Sequence, residues 1–294
     1  MNKKWTIALS EVPDNITVEK FIRQKTNIES HIQNLKRLDR TDYISASINL
    51  DQLKVIQEIQ EFLSHNPTYS FEYKGREEKF ESYQSCSLTW NPEAIDKLSP
   101  DPLQSGLGSA LYSEGSSNYY EKSKAEKNTY ADTYSFLEKT PLAHLKSLEA
   151  FFNSFNRTMI RSRISIIKAS HVESTKLQYL WHKDESIFLN LRINIPIESN
   201  DNYVIQLLNE DSNEADIKEF SLECGKAYVY DTEKLHRPFC KKLNSTDRIN
   251  MICGVSPWFN YNPEQKAWVS NEFFGELHPF DMFSKGLITP MIRL

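Results

Sequence analysis

Cysteine is scarce in this chain and is not arranged for chemistry. The 294 residues include four cysteines, and no two of them form a C-x-x-C pair. A zinc site held by cysteine pairs is therefore poorly supported. We interpret all four as buried reduced thiols, the usual state of isolated cysteines inside a cell. They are Cys86, Cys224, Cys240 and Cys253.

Long apolar segments and an excess of basic residues are also missing. No run approaches the roughly 20 apolar residues of a membrane span. The N-terminal stretch MNKKWTIALSEVPDN has a shorter apolar run than the roughly 7–15 residues of a secretory signal. The formal net charge is −5, whereas nucleic-acid-binding proteins usually carry a basic face. We therefore expect a cytoplasmic protein that binds neither membranes nor nucleic acid.

The chain is long enough for one large domain or a core with a smaller attached unit. We divide it into a helical and mixed region over 1–135, a strand-rich core over 136–262, and a partly helical tail over 263–294 that packs on the core. Residues 99–128 are rich in Ser, Gly and Asn and predict a long loop or mobile lid. The stretch GLGSAL inside that loop lacks the GK[ST] ending of a phosphate-binding loop.

Hydrophobic periodicity separates a helical front from a β-rich back. Apolar residues at three- to four-residue spacing predict helices over 17–39, 51–64 and 141–156. After residue 157 the pattern becomes strand-like, with turn-prone stretches between short β-rich runs. These runs are RSRISIIKAS, SIFLNLRINIPI, NYVIQLL, GKAYVYD and RINMICGVSPWF. The order favours a mainly β core of the jelly-roll or sandwich type, buttressed by helices at both ends.

Three potential metal ligands stand near the ends of these runs. His182 and Asp184 are separated by one residue, and His236 follows Asp184 by 52 residues, just past GKAYVYD. Two imidazoles and one carboxylate form a facial ligand set that leaves coordination positions open, as in non-haem Fe(II) oxygenases. His182 and Asp184 could instead be a surface pair, and His236 a solvated loop residue.

Arg248 begins the last strong strand, twelve residues after His236. A guanidinium group matches a carboxylate through two parallel hydrogen bonds. Arg248 is therefore a candidate to hold the far carboxylate of an oxo-acid bound at the metal; the alternative is a surface salt bridge of little energetic value.

The H-x-D pair, the downstream histidine and the arginine after it resemble the Fe(II)/2-oxoglutarate-dependent dioxygenase superfamily. The resemblance covers about residues 140–260 and implies a double-stranded β-helix, with Fe(II), 2-oxoglutarate and O₂ as cofactor and cosubstrates. The string LRINIPI is similar to the aspartyl/asparaginyl β-hydroxylase-like branch, which includes proline cis-hydroxylases. That branch has an arginine-x-histidine in the 2-oxoglutarate pocket. Here Arg192 matches the arginine, whereas Asn194 replaces the histidine.

Side-chain alternation supports an inward-facing polar row. In an unbroken strand, residues 182, 184, 192 and 194 would project from one face and Leu191, Ile193 and Ile195 from the other. Among the neighbouring aromatic residues, Tyr179, Trp181 and Tyr230 either line the substrate pocket or pack in the core.

The resemblance implies a hydroxylase that acts on an unactivated C–H bond and releases succinate and CO₂. It also implies a substrate that is amino-acid-like, peptidyl or a biosynthetic natural product. Two alternatives remain: a non-catalytic cupin-like protein that binds a metal or small molecule, and an Fe(II) or Zn(II) enzyme without an oxo-acid cosubstrate.

Overall fold

The computed structural model describes residues 4–13, 16–36, 41–72, 79–92, 101–104, 133–169, 181–209, 216–241 and 246–294. The expected loop over 99–128 lies outside these residues, apart from a short turn at Pro102–Gln104. None of the helices in the described part of the chain has the length and apolar composition of a membrane crossing.

The described residues form a mainly β structure with short helices. The strands are β1 (Thr6–Ala8), β2 (Tyr43–Ile48), β3 (Tyr69–Glu72), β4 (Lys79–Ser87), β5 (Thr89–Trp90), β6 (Glu138–Lys139), β7 (Arg163–Ile167), β8 (Leu191–Glu198), β9 (Tyr203–Asn209), β10 (Asp216–Ser221), β11 (Lys226–Tyr230), β12 (His236–Cys240), β13 (Arg248–Val255), β14 (Phe259–Asn262), β15 (Ala267–Ser270) and β16 (Ile292–Arg293). The helices are α1 (Val18–Thr26), α2 (Glu29–Lys36), α3 (Gln52–His65), α4 (Lys146–Asn153) and α5 (Pro279–Ser284).

Two antiparallel sheets define the core. The large sheet has the order β16-β2-β11-β8-β13-β7-β4-β3, and the small sheet the order β10-β9-β12. The chain passes repeatedly between them: β7 and β8 belong to the large sheet, β9 and β10 to the small one, β11 to the large, β12 to the small and β13 to the large. This alternation is a double-stranded β-helix, so the expected fold class is confirmed.

The large sheet buries an apolar layer on its outer face. All residues of β8 from Leu191 to Ile197 are buried, and Leu191, Ile193, Ile195 and Ile197 belong to the main hydrophobic core. The helix α3 covers β8 on this side and contributes Val55 and Ile59. Because side chains alternate along a strand, Arg192 and Asn194 face the small sheet instead.

The helices differ in their boundaries from the periodic pattern. The helix expected over 17–39 is two helices, because Asn27 adopts a left-handed conformation (φ 49°) and closes α1. Thr17 caps the start of α1 by accepting a hydrogen bond from the Lys20 backbone N–H. The helix expected over 51–64 is confirmed as α3. The one expected over 141–156 begins as a 3₁₀ turn and becomes α-helical only at Lys146.

Strands from outside the expected core complete the large sheet. β2, β3 and β4 come from the first 135 residues, and β16 comes from the chain end. Their sequences are mixed and polar, as in YISASI of β2, and therefore lack the apolar signal of β8. Within the tail, α5 buries Phe280 and Phe283 in the core.

Candidate metal centre

Backbone pairing brings His182 and His236 face to face. Each donates its backbone N–H to the carbonyl of the other, at 3.1 and 3.0 Å. Two residues on, the Asp184 N–H donates to the Thr232 carbonyl at 2.9 Å. The His182–Asp184 segment therefore runs as a short extension of the small sheet beside β12, not as the start of β8. The continuous strand expected from 182 to 194 is interrupted by a turn at 187–189.

The three side chains converge on one point. Asp184 Oδ2 lies 3.4 Å from His236 Nε2 and 3.9 Å from His182 Nε2. One ligand atom from each residue falls within 4.8 Å of the others. His236 is buried, whereas the His182 side chain is 28% exposed, so the cluster has a closed side and an open side.

His236 is oriented for coordination by its own backbone neighbourhood. Its Nδ1 lies 2.9 Å from the Lys234 carbonyl. A proton on Nδ1 donates to that oxygen and leaves the Nε2 lone pair directed at the cluster. The residues present therefore fit a divalent metal: two imidazole nitrogens and one carboxylate in a facial arrangement.

A largely buried ion-pair network holds the carboxylate of Asp184. Both terminal nitrogens of Arg192 are used, one by Asp184 Oδ2 and the other by Glu185 Oε2. Glu185 Oε1 in turn accepts hydrogen bonds from Thr133 Oγ1 at 2.7 Å and from Arg161 at 3.2 Å. The sequence predicts Arg192 as a cosubstrate contact, but its guanidinium group is already satisfied by two acids beside the metal ligands.

This network keeps both acids ionised. Burial alone would raise the pKa of Asp184, but the Arg192 guanidinium and the two imidazoles outweigh it and hold that pKa well below its usual range. Burial is likewise outweighed at Glu185, where Arg192 and Arg161 lower the pKa to about 2. Asp184 is therefore available as an anionic ligand at any physiological pH.

The cluster opens into a cavity between the two sheets. Arg192, Asn194, Arg248 and Asn250 line it from the large sheet, and Ile205 and Pro238 from the small one. Of the candidate substrate residues, Tyr230 lines the cavity, with its ring centroid 5.2 Å from that of His236. Burial raises the pKa of Tyr230, so its phenol stays neutral.

Trp181 differs from Tyr230. The Trp181 ring packs under the Arg237 guanidinium, 4.3 Å from the ring centroid, and does not line the cavity. Tyr179 lies outside the described residues.

Arg248 is buried in the cavity wall. The residue is 4% exposed, and its Nε has no hydrogen-bond partner among the described residues. Burial lowers its pKa, although three nearby tyrosines act in the opposite direction. Among the described residues, no carboxylate forms an ion pair with it. A buried guanidinium of this kind fits the far carboxylate of an oxo-acid.

Two buried amides beside Arg248 are only half satisfied. Asn250 donates to Asn194 Oδ1 at 2.9 Å, whereas Asn194 Nδ2 and Asn250 Oδ1 have no partner in the described part of the chain. Buried polar atoms without partners are uncommon and point to a polar ligand or water in the cavity. Asn194 is thus placed as expected, on the inner face of β8.

Sequence reasoning missed several residues of this site. Glu185 adjoins the H-x-D pair but carries no motif of its own. Arg163 and Asn250 also line the cavity. Alternation could have found them, because Arg163 and Ser165 share one face of RISII, and Asn250 follows Arg248 by two residues.

Comparisons with known proteins add similar structures but no close relative. The sequence matches no protein-family model and no curated protein. The SnoN epimerase of nogalamycin biosynthesis, described as non-haem and alpha-ketoglutarate dependent, aligns over 78% of this chain and 82% of its own, with 8% identity and a TM-score of 0.40. A Pseudomonas putida prolyl-4-hydroxylase aligns over 78% and 98%, with 7% identity and a TM-score of 0.37. HygX from Streptomyces hygroscopicus, solved with nickel, 2-oxoglutarate and hygromycin B bound, aligns over 80% and 93%, with 8% identity and a TM-score of 0.39. TM-scores this low support no inference about this chain.

Proposed function

We propose that this protein is an Fe(II)- and 2-oxoglutarate-dependent dioxygenase that hydroxylates an unactivated C–H bond. The substrate would be amino-acid-like, peptidyl or a natural product. One observation carries the proposal: the His182, Asp184 and His236 cluster shares a cavity with a buried arginine, Arg248, that pairs with no described acid.

The three clustered side chains would hold the iron through His182 Nε2, His236 Nε2 and an oxygen of Asp184. Bound Fe(II) and 2-oxoglutarate supply the oxidising chemistry, in which the oxo-acid loses CO₂ to give succinate and one oxygen atom of O₂ enters the substrate. The facial set leaves coordination positions for these reactants.

Arg248 would hold the far carboxylate of 2-oxoglutarate. Its burial excludes competing water and strengthens a bidentate ion pair. Asn194 Nδ2, a buried donor without a partner, is a second candidate contact. The neutral phenol of Tyr230 adds a polar group next to His236.

Arg192 would act through Asp184 and not through the cosubstrate. Its two nitrogens hold Asp184 and Glu185, and this fixes the direction of the ligand carboxylate. Partners that orient metal ligands commonly contribute 10–100-fold in metal affinity or activity.

A non-catalytic cupin-like barrel explains Arg248 less well. A protein that only binds a metal has no use for a buried, unpaired guanidinium in the same cavity, because an uncompensated buried charge is costly.

The test is 2-oxoglutarate binding and succinate formation. Protein purified without oxygen and loaded with Fe(II) should bind 2-oxoglutarate, then release succinate when O₂ and a substrate are added. Asp184→Ala should abolish metal binding, whereas Arg248→Gln should retain the metal and lose at least about 10-fold in 2-oxoglutarate affinity. Absence of both 2-oxoglutarate binding and succinate would refute the proposal, as would full activity in Asp184→Ala.

A further inference from the structure

The cavity contains a second arginine, Arg163, that the proposed cofactor chemistry does not use. It lies at the start of β7, and its side chain lines the cavity together with that of Ser165. Arg163 stands opposite Ile252 of β13, whereas Arg248 stands opposite Ile167 at the other end of β7. Four residues of strand separate the two positions, a distance of roughly 13 Å.

Arg163 lies at the metal end of the cavity. On β13 its partner Ile252 is opposite Asn194 of β8, and Arg192 is two residues from Asn194. Arg192 in turn contacts the ligand Asp184. Arg163 and Arg248 are therefore placed to contact different ends of the bound reactants.

The charges around the cavity do not balance without a further anion. Its lining includes three arginines but one carboxylate, that of Asp184. Arg192 is neutralised by Asp184 and Glu185, and 2-oxoglutarate would neutralise Arg248. In the described part of the chain, the Arg163 side chain forms neither an ion pair nor a hydrogen bond, and its Nε is buried without a partner.

Two other arginines close to the core are each paired with an acid. Arg157 pairs with Glu272 at 3.2 Å, and Arg161 pairs with Glu185 at the same distance. Arg163 follows Arg161 by two residues, at the start of β7, but it pairs with no acid in the described part of the chain. Because charges that face a protein interior are normally paired, the missing partner of Arg163 points to an anionic ligand.

We propose that Arg163 binds an anionic group of the substrate, a carboxylate or a phosphate, while Arg248 holds the cosubstrate. The substrate is then an acid, bound with its charged end at β7 and its reacting carbon toward the metal ligands. This inference rests on the proposed function, since it assigns the second anion of the same cavity.

The experiment uses full-length protein loaded with Zn(II), which is redox-inert, and saturated with 2-oxoglutarate. Calorimetric titrations compare matched probes: N-acetyl amino acids against their carboxamides, and phosphoserine and phosphotyrosine peptides against the unphosphorylated peptides. One class of acid should bind at least about 10-fold more tightly than the matched probe without the anionic group, in line with a charge-assisted hydrogen bond. The two arms distinguish carboxylate from phosphate.

In Arg163→Gln, the acid and its matched probe without the anionic group should bind with nearly equal affinity. The 2-oxoglutarate Kd should stay within about twofold of wild type. Arg163→Lys keeps the charge and should restore part of the preference for the acid. Arg248→Gln should give the reverse result, with weakened 2-oxoglutarate binding. Zn(II) affinity and Tm confirm that each variant is folded.

The inference is overturned if the probes without the anionic group bind as tightly as the acids, or if no acid binds at millimolar concentration. It is also overturned if Arg163→Gln keeps the wild-type preference for the acid. It is also overturned if Arg163→Gln weakens 2-oxoglutarate binding as Arg248→Gln does. The proposed function fails separately, by loss of 2-oxoglutarate binding in the wild-type protein.

Discussion

The two faces of β8 are built from alternate residues of one strand but differ in how completely their side chains are satisfied by the fold. On the outer face, Ile193 and Ile195 are fully buried in the main hydrophobic core. On the inner face, Arg192 is occupied by two acids, and the amide nitrogen of Asn194 has no partner among the described residues. The outer face is therefore satisfied by the fold, whereas the inner face keeps a polar atom that the described residues do not satisfy.

We expect this difference to separate residues that stabilise the fold from residues that bind ligands. Apolar burial contributes to folding wherever the packing is tight. Buried polar atoms without partners cost free energy in the unliganded protein, and a ligand that satisfies them recovers that cost. Variants on the outer face should change stability, and variants on the inner face should change affinity.

Ile193→Ala tests the outer face and should have the largest effect. It removes a fully buried side chain from the core and should lower the free energy of unfolding by about 2–5 kcal/mol. Denaturant unfolding measures the change. Ile193→Val is the matched control, with an expected loss of about 0.5–1.5 kcal/mol. Equal stability of Ile193→Ala and wild type would contradict the assignment of this face to the core.

Arg192→Gln tests the ion pairs of the inner face. Without the guanidinium, Asp184 loses the group that orients it, and only Arg161 remains to balance the charge of Glu185, so metal affinity should fall about 10–100-fold. Titration with Mn(II), followed by its electron paramagnetic resonance signal, measures the Kd of the metal. Arg157→Gln, which removes an arginine paired with Glu272 away from the site, should leave this Kd unchanged. Tighter metal binding in Arg192→Gln would mean that the arginine competes with the metal.

Asn194→Ala changes the same strand on the inner face but removes little packing. Its main consequence is that the Asn250 amide loses its acceptor, so the free energy of unfolding should fall by about 1 kcal/mol. The comparison with Ile193→Ala, measured by the same denaturant unfolding, is the informative result. A loss as large as that of Ile193→Ala would show that both faces are structural.

Asp42→Asn tests a cluster of ion pairs at the start of β2. Asp42 pairs with Lys218 of β10 and with Lys234 in the turn before β12, and so joins both segments to β2. Burial raises the pKa of Asp42, but the two lysines outweigh it and the net shift is downward from 3.8. The stabilisation is therefore present above about pH 4 and is lost as the pH falls through the lowered pKa.

At pH 7 Asp42→Asn should cost no more than about 1 kcal/mol, since both lysines are partly exposed. Unfolding measured at pH 7 and pH 3 should show the difference from wild type shrinking at the lower pH. A difference that grows on acidification would refute the sign of this shift.

The sequence predicted the centre of the fold better than its margins. β7, β11 and β13 lie within the predicted β-rich runs, and β8 and β9 end one residue beyond theirs. The runs were recognisable because their apolar residues recur with strand periodicity. β2 and β4 escaped prediction because their strands are polar and become part of the sheet only by pairing with β11 and β7. The single helix expected over 17–39 is interrupted at Asn27. The left-handed backbone of Asn27 is a local feature that hydrophobic spacing does not predict.

The sequence by itself determined the three candidate metal ligands, the arginine after them and the alternation of β8, since residue type and spacing encode each of these. Only the tertiary structure decided that Arg192 belongs to Asp184 and Glu185 and that Arg163 is left without a described partner. Ion pairs form between side chains that sheet pairing brings together from distant segments, as Arg161 meets Glu185. Which charges are left for ligands therefore depends on strand register and burial, and not on spacing along the chain.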